Sequence, residues 1–338
     1  MTIQLSVLVA IKDVAQFLPQ CLESLHTQTL QEAEFILVDD GSRDHSRQIC
    51  EEYVRKDPRF QIIVHEKNQG CVVTRADAIE RASGEFAIIL DGDDYILDAT
   101  SLAELAEIAR RENVDILRYS ADTRTIDGQI DEGWQRVFAR QGEPKEGAAE
   151  ILKQLYMDHA YPYSIICVCY RMAVLKRMLT YVKREFLVVS EDAYQHFLIA
   201  SLSQSYKGVR TRPFYQYRVG SGVSTGTSTM PKFRQYLLGA QVPQWLREFL
   251  QVHPIESGVA DACIRSLEDS LMESLVVKFQ ELPDAEKPEA FALVAQGTNA
   301  ALFYQHLQAQ GPSNRELYRV PAKRLFRAWI KALLGKTK

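Results

Sequence analysis

Residues 84–94 read GEFAIILDGDD, so that five apolar residues are followed at once by three carboxylates within four positions. A short apolar run of this kind is typical of a strand buried in a parallel sheet. Residues 34–40 repeat the pattern, because the segment EFILV is followed directly by Asp39 and Asp40. The carboxyl ends of parallel strands meet at one edge of a sheet, where ligands bind. We therefore expect the two acidic groups to lie close together at that edge.

Outward from these two segments, strand and helix patterns alternate along the first third of the chain. The predicted strands are residues 3–11, 34–38, 60–64, 86–90 and 114–119. Helices of about 12 residues separate them, which predicts an α/β fold with a Rossmann-like, mostly parallel sheet and helices on both faces. Residues 122–146 are polar and contain glycine, so they predict loop and hairpin, and the apolar run 165–170 predicts a further strand. After Pro231 only helical periodicity remains, which predicts a C-terminal all-helical region.

Composition limits the class of protein. The chain has 338 residues, of which 46% are hydrophobic and 25% charged, which is ordinary globular usage and excludes disorder. The net charge of −4 does not indicate a nucleic-acid partner. No uncharged apolar run reaches the ~18 residues of a membrane span, and no signal peptide is recognisable, so we expect a cytoplasmic protein. The six cysteines lack zinc-knuckle spacing and are expected to be structural thiols.

The acidic groups suggest a cation site. Asp91 and Asp93 together could share one Mg²⁺ or Mn²⁺ through carboxylate oxygens, leaving positions for water and phosphate. The alternative is turn and helix-cap chemistry, which Asp, Gly and Ser also favour. Asn68-Gln69-Gly70 and Arg75 follow the third strand at the start of a helix, where a phosphate would be held well. A solvated loop is the competing interpretation of that segment.

The order of these motifs resembles a family 2 glycosyltransferase of the GT-A fold. The resemblance is dense over residues 3–120 and continues thinly to about residue 225. It implies an inverting, metal-dependent enzyme that moves a sugar from a nucleotide sugar, of the UDP class, to a glycan or lipid-linked glycan acceptor, as in bacterial surface polysaccharide synthesis. Inverting transfer needs a stabilised leaving group, which a divalent metal supplies, and a base for the acceptor hydroxyl.

The resemblance also implies roles for particular residues. Asp192 is implied to be the catalytic base, beside Glu191. The alternative interpretation of Ser190-Glu191-Asp192 is a helix start capped by Ser190, and the two interpretations are compatible. Asp93 and Asp91 are the metal ligands. The nucleotide-sugar-binding residues are expected to be Val9, Ala10, Asp39, Asp40, Asn68, Arg75, Asp91 and Gly92. The residues expected to close the donor site are Tyr217, Arg218 and Ser221.

Two segments depart from the family pattern. Ala10-Ile11-Lys12-Asp13 stands where a Pro and then Tyr-Asn are usual, and in Thr74–Ala78 only Arg75 matches. These departures leave the donor sugar open. They also motivate an alternative function, a catalytically degenerate transferase-like scaffold or glycan-binding subunit. A haloacid-dehalogenase phosphatase and a nicotinamide dehydrogenase fit less well, because the Asp-x-Asp follows a late strand and no G-x-G-x-x-G follows the first.

We predict two domains. Residues 1–228 form the catalytic domain, with a nucleotide-sugar half (1–120) and an acceptor half (121–228), and residues 229–338 form the helical region. Residues 315–338 carry eight Lys and Arg against Glu316, and their apolar residues share one helical face. This basic amphipathic helix predicts either binding to an anionic membrane surface, with a peripheral membrane location, or packing on its own domain or on a sister subunit of a homo-oligomer.

Overall fold

The strand predicted at residues 86–90 lies in the middle of an eight-stranded sheet in our computed structural model, which describes residues 2–221, 228–255, 258–297 and 300–309. The strand order is β3-β2-β1-β4-β9-β6-β10-β8, and a second sheet has the order β5-β11-β7. The strands have these bounds: β1 Leu5–Ile11, β2 Ala33–Asp39, β3 Phe60–Val64, β4 Phe86–Asp91, β5 Tyr95–Ile96, β6 Ile116–Arg118, β7 Ala121–Thr125, β8 Lys145–Glu146, β9 Val168–Arg171, β10 Ser205–Gly208 and β11 Tyr215–Val219.

The predicted parallel sheet is confirmed. Strands β3, β2, β1 and β4 are all parallel, whereas β9 runs antiparallel to both of its neighbours, β4 and β6. Strands β1, β2 and β4 are buried along nearly their whole length, as expected where both faces of a sheet are covered. Register aligns the acidic ends, because Ile11 pairs with Asp39 and Ala10 pairs with Asp91. The two acidic groups therefore lie on either side of β1.

The helices in the α/β part connect these strands. Their bounds are α1 Leu18–His26, α2 Ser46–Lys56, α3 Cys71–Arg81, α4 Ser101–Glu112, α5 Glu132–Phe138, α6 Ala148–Tyr156, α7 Met172–Met178 and α8 Glu191–Leu202. The buried carboxylate of Glu34 fixes the chain ahead of β4, since it accepts hydrogen bonds from Ser6 Oγ at 2.7 Å and from the Gly84 amide at 3.1 Å. This contact lies at the end of the sheet opposite Asp91.

Two local predictions need correction. The segment 122–146 is not only loop and hairpin: it contains α5, whose N-cap Asp131 accepts a hydrogen bond from the Trp134 amide. The strand predicted at 165–170 begins only at Val168, because Cys167 has a φ of +59°, which interrupts an extended chain.

All six cysteines lie in the described residues and are free thiols, and burial raises the pKa of the Cys50 and Cys263 thiols to about 12.

The predicted helical region is confirmed as far as residue 309. Its helices are α9 Met230–Gly239, α10 Val242–Val252, α11 Val259–Gln280, α12 Lys287–Gly297 and α13 Ala300–Ala309. Helix α10 and the first half of α11 share the core of the α/β part, while Phe233, Phe279 and Phe303 belong to a second cluster. The domain boundary at residue 228 stays a prediction. The basic segment 315–338 lies outside the described residues, and none of the helices within them is long and apolar enough to cross a bilayer.

Candidate active site

Asp39 lies at the end of β2 and lines a cavity of about 580 Å³. Lys12 and Asn68 also line this cavity, which opens beside the ends of β1 and β3. The Asp39 side chain is almost fully buried, and its Oδ1 accepts a long hydrogen bond of 3.3 Å from the Ser42 amide. Lys12 Nζ donates to the Gly41 carbonyl at 2.9 Å. The cavity thus presents carboxylate, amide and ammonium groups, which suit a polar heterocycle and a ribose.

Asp40, in contrast, points beneath the loop that follows β3. Its Oδ1 accepts a hydrogen bond from the Gln69 amide at 2.8 Å, and its Oδ2 accepts one from the Gly70 amide at 2.9 Å. His65 Nδ1 lies 2.8 Å from Asp40 Oδ1, and His65 Nε2 lies 3.0 Å from Asp77. Both oxygens of Asp40 are therefore engaged by protein groups, and this geometry gives Asp40 the role of fixing the loop between β3 and α3.

The same loop brings helix α3 against the segment before α8. Gly70 has a φ of +86°, and a Cβ atom there would lie 2.9 Å from the Leu187 nitrogen. Only glycine fits both the left-handed backbone and this close approach. The Cys71 amide donates to the Leu187 carbonyl at 3.1 Å, and Asn68 Oδ1 accepts from the Gly70 amide at 2.9 Å. Asn68 therefore shapes the loop as well as lining the cavity.

Arg75 on α3 joins the predicted metal-binding and catalytic acids. Its Nη1 donates to Asp192 Oδ1 at 2.8 Å and lies 3.8 Å from Glu191, while its Nη2 lies 3.5 Å from Asp91 Oδ1. Gln195 Oε1 also accepts from Nη1, at 3.3 Å. The guanidinium side chain is 4% exposed, whereas Asp91 and Asp192 are 33% and 26% exposed. Two acids that are 101 residues apart in the chain thus meet at one guanidinium, and we call the partly exposed surface around them the cleft.

Crowding of carboxylates changes the proton affinity of this cleft. Burial raises the pKa of Asp91 to about 6; Arg75 opposes the shift, and the charges of Asp93 and Asp192 add to it. Burial together with the charge of Asp192 raises the pKa of Glu191 to about 8, again against Arg75. Glu191 therefore carries a proton at neutral pH. A cation bound at Asp91 and Asp93 would relieve the repulsion between these acids.

The acids fit a shared metal. Among the residues that the structure describes, no group of three or more His, Cys, Asp or Glu side chains could hold a metal ion by itself. Two carboxylates at the end of β4 match the way Mg²⁺ is usually bound, by one or two protein carboxylates with substrate phosphates. The half-buried Asp91 and Asp93 therefore suit a cation that a nucleotide diphosphate helps to bind.

The helix start predicted at Ser190-Glu191-Asp192 is confirmed, because α8 begins at Glu191, but Ser190 does not cap it through its side chain. It occupies the N-cap position, but its side chain makes no capping hydrogen bond and its φ is +68°. A left-handed backbone is uncommon for serine, and strained residues of this kind cluster at functional sites. Asp192 is instead oriented from two sides, because Ser164 Oγ donates to its Oδ2 at 3.1 Å while Arg75 binds its Oδ1.

Asp94 and Tyr215 form a buried pair behind Asp91 that sequence reasoning did not single out. Tyr215 Oη donates to Asp94 Oδ2 at 2.7 Å and accepts a 3.3 Å hydrogen bond from the Asp91 amide. The Arg218 amide donates to Asp94 Oδ1 at 2.7 Å. Burial, then the charges of Asp93 and Asp91, hold the pKa of Asp94 well above its usual range. The third acid of the motif thus ties β4 to β11.

The residues predicted to close the donor site fall on different faces of β11. Tyr215 contacts Asp94, whereas Arg218 lies over Phe17 at 4.4 Å and donates to Gln20 at 2.7 Å, on the opposite face. Ser221 Oγ donates to the Arg218 carbonyl at 3.0 Å. Tyr217 follows Tyr215 by two positions and therefore shares its face. The neighbouring Gly222, Val223 and Ser224 lie outside the described residues.

Val9, Ala10 and Gly92 position the acids through the backbone. The Val9 side chain is fully buried in the core. The Ala10 carbonyl accepts a hydrogen bond of 3.2 Å from the Gly92 amide, which turns the chain between Asp91 and Asp93. Any contact of these three residues with a ligand would use main-chain atoms of Val9 and Ala10 or the small surface of Gly92.

Comparison with known proteins identifies the family of the chain. The model of the family described as "Glycosyl transferase family 2" matches residues 6–181, and the chain belongs to this family. "Putative glycosyltransferase EpsH" of Bacillus subtilis (strain 168) is 32% identical over 214 residues, which are 63% of this chain and 60% of that protein. "Uncharacterized glycosyltransferase EpsJ" of the same organism is 37% identical over 125 residues, 36% of each protein. The chain thus spans less than two thirds of these relatives.

Solved structures confirm the GT-A fold. S. aureus TarS 1–349 in complex with UDP-GlcNAc aligns with a TM-score of 0.57 at 20% identity, over 91% of each chain. The mannosyltransferase PcManGT from Pyrobaculum calidifontis, in complex with GDP-Man and Mn²⁺, aligns with a TM-score of 0.52 at 14% identity, over 98% of this chain and 88% of its own. At these identities the alignments concern the fold alone.

Proposed function

We propose that this protein is an inverting, metal-dependent glycosyltransferase that transfers a sugar from a nucleotide sugar to a glycan or lipid-linked glycan. One observation carries the proposal: Arg75 contacts both Asp91 and Asp192, so the acid predicted to bind the metal and the acid predicted to be the base face one cleft. Family membership supports the reaction class.

The nucleotide would occupy the cavity at the end of β2. Asp39 and Asn68 line it and offer acceptors for N–H and O–H groups, while Asp40 keeps the loop in place. We propose a uridine nucleotide. One structural neighbour holds a UDP-sugar and the other a GDP-sugar, so the binding experiment includes both UDP and GDP. Strand β1 lies between β2 and β4, so the ends that carry Asp39 and Asp91 are separated by one strand.

The diphosphate end is assigned to the acids after β4. Asp91 and Asp93 would hold a divalent cation, which when bound stabilises negative charge on the leaving nucleotide. Asp94 and Tyr215 keep Asp91 in place through its amide. Arg75 is engaged by Asp91, Glu191 and Asp192, so we assign it to positioning these acids, in addition to its predicted place near the diphosphate.

Asp192 is proposed to take the proton of the acceptor hydroxyl. Its two oxygens are oriented by Arg75 and Ser164, and it is more exposed than Glu191, at 26% against 16%. Glu191, protonated at neutral pH because burial and Asp192 raise its pKa to about 8, avoids a second negative charge beside the base. One carboxylate suffices for a single displacement with inversion, so no covalent intermediate is required.

Two measurements test this function. Calorimetry with UDP, GDP and UDP-sugars, with and without Mn²⁺, should show metal-dependent binding that Asp93→Asn weakens. Release of UDP with a panel of acceptors should fall roughly 100-fold or more in Asp192→Asn, the usual range for loss of a general base, while UDP still binds. Asp284→Asn, at an exposed position far along the chain in the helical region, is the matched control. Unimpaired transfer by Asp192→Asn would remove the base assignment.

The scaffold alternative makes a different prediction. A degenerate, glycan-binding subunit would bind nucleotide or glycan but release no UDP with any donor and acceptor. The departures at Ala10–Asp13 and Thr74–Ala78 favour it, whereas the presence of all the expected acids in one cleft favours catalysis.

Location and assembly stay predictions. We propose a cytoplasmic enzyme whose residues 315–338 bind either an anionic membrane surface or another copy of the chain. Sedimentation with vesicles of anionic and of neutral lipid, together with light scattering of the protein alone, separates these two outcomes. Binding to anionic vesicles supports the first, and a concentration-dependent dimer supports the second.

A further inference from the structure

Three aromatic rings form a continuous surface beside the cleft. The Trp134 ring on α5 lies 5.6 Å from the Tyr217 ring on β11, and Phe138 lies 5.1 Å from Tyr217 and 6.0 Å from Trp134. Phe138 is buried, whereas Trp134 is 42% exposed. We call these three residues the aromatic platform. It extends from the core of the protein to the solvent.

Tyr217 places one edge of the platform on the face of β11 that Tyr215 presents to Asp94. Tyr217 shares the face of β11 on which Tyr215 contacts Asp94, because alternate residues of a strand point the same way. Burial and the charges of Asp94, Asp91, Asp93 and Asp192 raise the pKa of the Tyr217 hydroxyl, which agrees with its facing the cleft. The three rings contact one another, so the exposed Trp134 ring lies directly beside Tyr217.

Trp134 is held firmly despite its exposure. Its amide donates to the N-cap Asp131 at 2.9 Å. The next residue, Gln135, accepts from the Thr123 amide at 3.0 Å and donates to the Ala121 carbonyl at 3.0 Å, which fastens α5 to β7. Trp134 thus combines a fixed backbone and ring contacts with Phe138 and Tyr217 with an exposed face, which is what a stacking surface requires.

The rings present an amphipathic but uncharged surface. A sugar ring has an apolar face of C–H groups and a rim of hydroxyls. It can therefore stack on an aromatic ring while its hydroxyls form hydrogen bonds at the edge. Ligand sites are commonly of this kind, mostly apolar with a few polar groups. A nucleotide would instead need cationic or metal partners for its phosphates, and the platform contains none. The platform therefore suits a neutral sugar.

We propose that Trp134 and Tyr217, with the buried Phe138 packed behind them, bind a neutral sugar ring of the acceptor and direct its hydroxyl toward Asp192. The inference rests on the proposed function, because it names the acceptor subsite of the same cleft. It gives Tyr217 a role in acceptor binding in place of closing the donor site.

Saturation-transfer NMR tests the platform directly. The probes are methyl β-glucoside, methyl β-galactoside and methyl β-N-acetylglucosaminide, added with UDP and Mn²⁺ while the aromatic protons are irradiated. We expect transfer to the C–H protons of at least one glycoside in the wild type, its loss in Trp134→Ala, and partial retention in Trp134→Phe, which keeps a ring. Arg136→Ala, at a highly exposed position two residues further on the same helix, should behave as the wild type.

Kinetics supply the second readout. With a glycoside that accepts a sugar, Trp134→Ala should raise the acceptor KM roughly tenfold, as for loss of one aromatic stacking contact, and leave kcat and the donor KM unchanged. Equal NMR transfer in wild type and Trp134→Ala, or no transfer to any probe while UDP is bound, would overturn the inference. If the wild type binds no nucleotide, the proposed function is overturned instead. In that case the same NMR experiment without UDP tests whether the platform binds a sugar.

Discussion

Arg75 Nη1 donates a hydrogen bond of 2.8 Å to Asp192 Oδ1, joining two residues that lie 117 positions apart in the chain. The contact fastens the first turns of α3 to the start of α8. Helix α3 begins at the loop that Asp40 holds, beside the cavity proposed for the nucleotide. The orientation of Asp192, the proposed base, therefore depends on the part of the fold that is proposed to bind the nucleotide. Binding and proton transfer are therefore expected to respond together to changes at Arg75.

Replacement of Arg75 tests this coupling. Arg75→Gln leaves Asp91, Glu191 and Asp192 facing one another without the guanidinium, so we expect a loss of about 2–3 kcal/mol in the free energy of unfolding, less than for a fully buried pair because the acids are partly exposed. The double variant with Asp192→Asn should lose less than the sum of the single variants.

Urea unfolding measures both effects. Arg81→Gln, at an exposed position on the same helix, is the control and should change stability by less than about 0.5 kcal/mol. Strictly additive losses in the double variant would show that Arg75 and Asp192 do not interact.

The buried Glu191 predicts a pH dependence of stability. Its pKa is about 8 in the folded protein and near the ordinary value of 4.5 when unfolded, so the folded state binds more protons between these values. Stability should therefore fall as the pH rises through this window and level off above it. Glu191→Gln removes the titrating group, so its urea midpoint should fall less than that of the wild type between about pH 6 and about pH 9. Parallel profiles for the two proteins would contradict the prediction.

Tyr215 and Tyr119 offer a matched pair of buried tyrosines. Tyr215 Oη contacts both Asp94 and the Asp91 amide, whereas Tyr119 Oη has no hydrogen-bond partner among the described residues. Tyr215→Phe leaves Asp94 with an unsatisfied oxygen, so we expect a loss of about 1–3 kcal/mol in stability and weaker Mn²⁺-dependent binding of UDP. Tyr119→Phe should be near neutral in both measurements. Equal effects of the two substitutions would remove the special role of Tyr215.

Gly70 and Gly128 separate backbone strain from crowding. Both have a positive φ, of +86° and +85°, but a Cβ at Gly70 would meet the Leu187 backbone at 2.9 Å, while a Cβ at Gly128 meets nothing within 4 Å. Gly70→Ala should therefore destabilise the protein by more than the roughly 1 kcal/mol expected for Gly128→Ala, and it should also weaken binding of UDP. Thermal unfolding and calorimetry check the two parts. Similar losses in both variants would show that the loop yields to the added methyl group.

Much of the fold could be predicted from neighbouring residues. The apolar runs before Asp39 and Asp91, with helical spacing between them, predict the parallel sheet, and the structure confirms it. These patterns are local, because side-chain alternation and helical periodicity depend only on positions a few residues apart. Local patterns failed for β9, which begins at Val168 and not at residue 165. Cys167 adopts a left-handed backbone conformation, which the apolar residues around it do not predict.

The sequence by itself determined which acids follow which strands, and hence that Asp39, Asp91 and Asp93 share one edge of the sheet. Only the tertiary structure decided what each side chain does there. Asp40 is directed under a loop, Arg75 is engaged by acids from two distant segments, and Trp134 meets Tyr217 across two elements. Such contacts depend on the path of the whole chain, since residues about a hundred positions apart meet only when the sheet and its helices have been packed together. A strand's end can be inferred from a dozen residues, but the partner of a buried charge cannot.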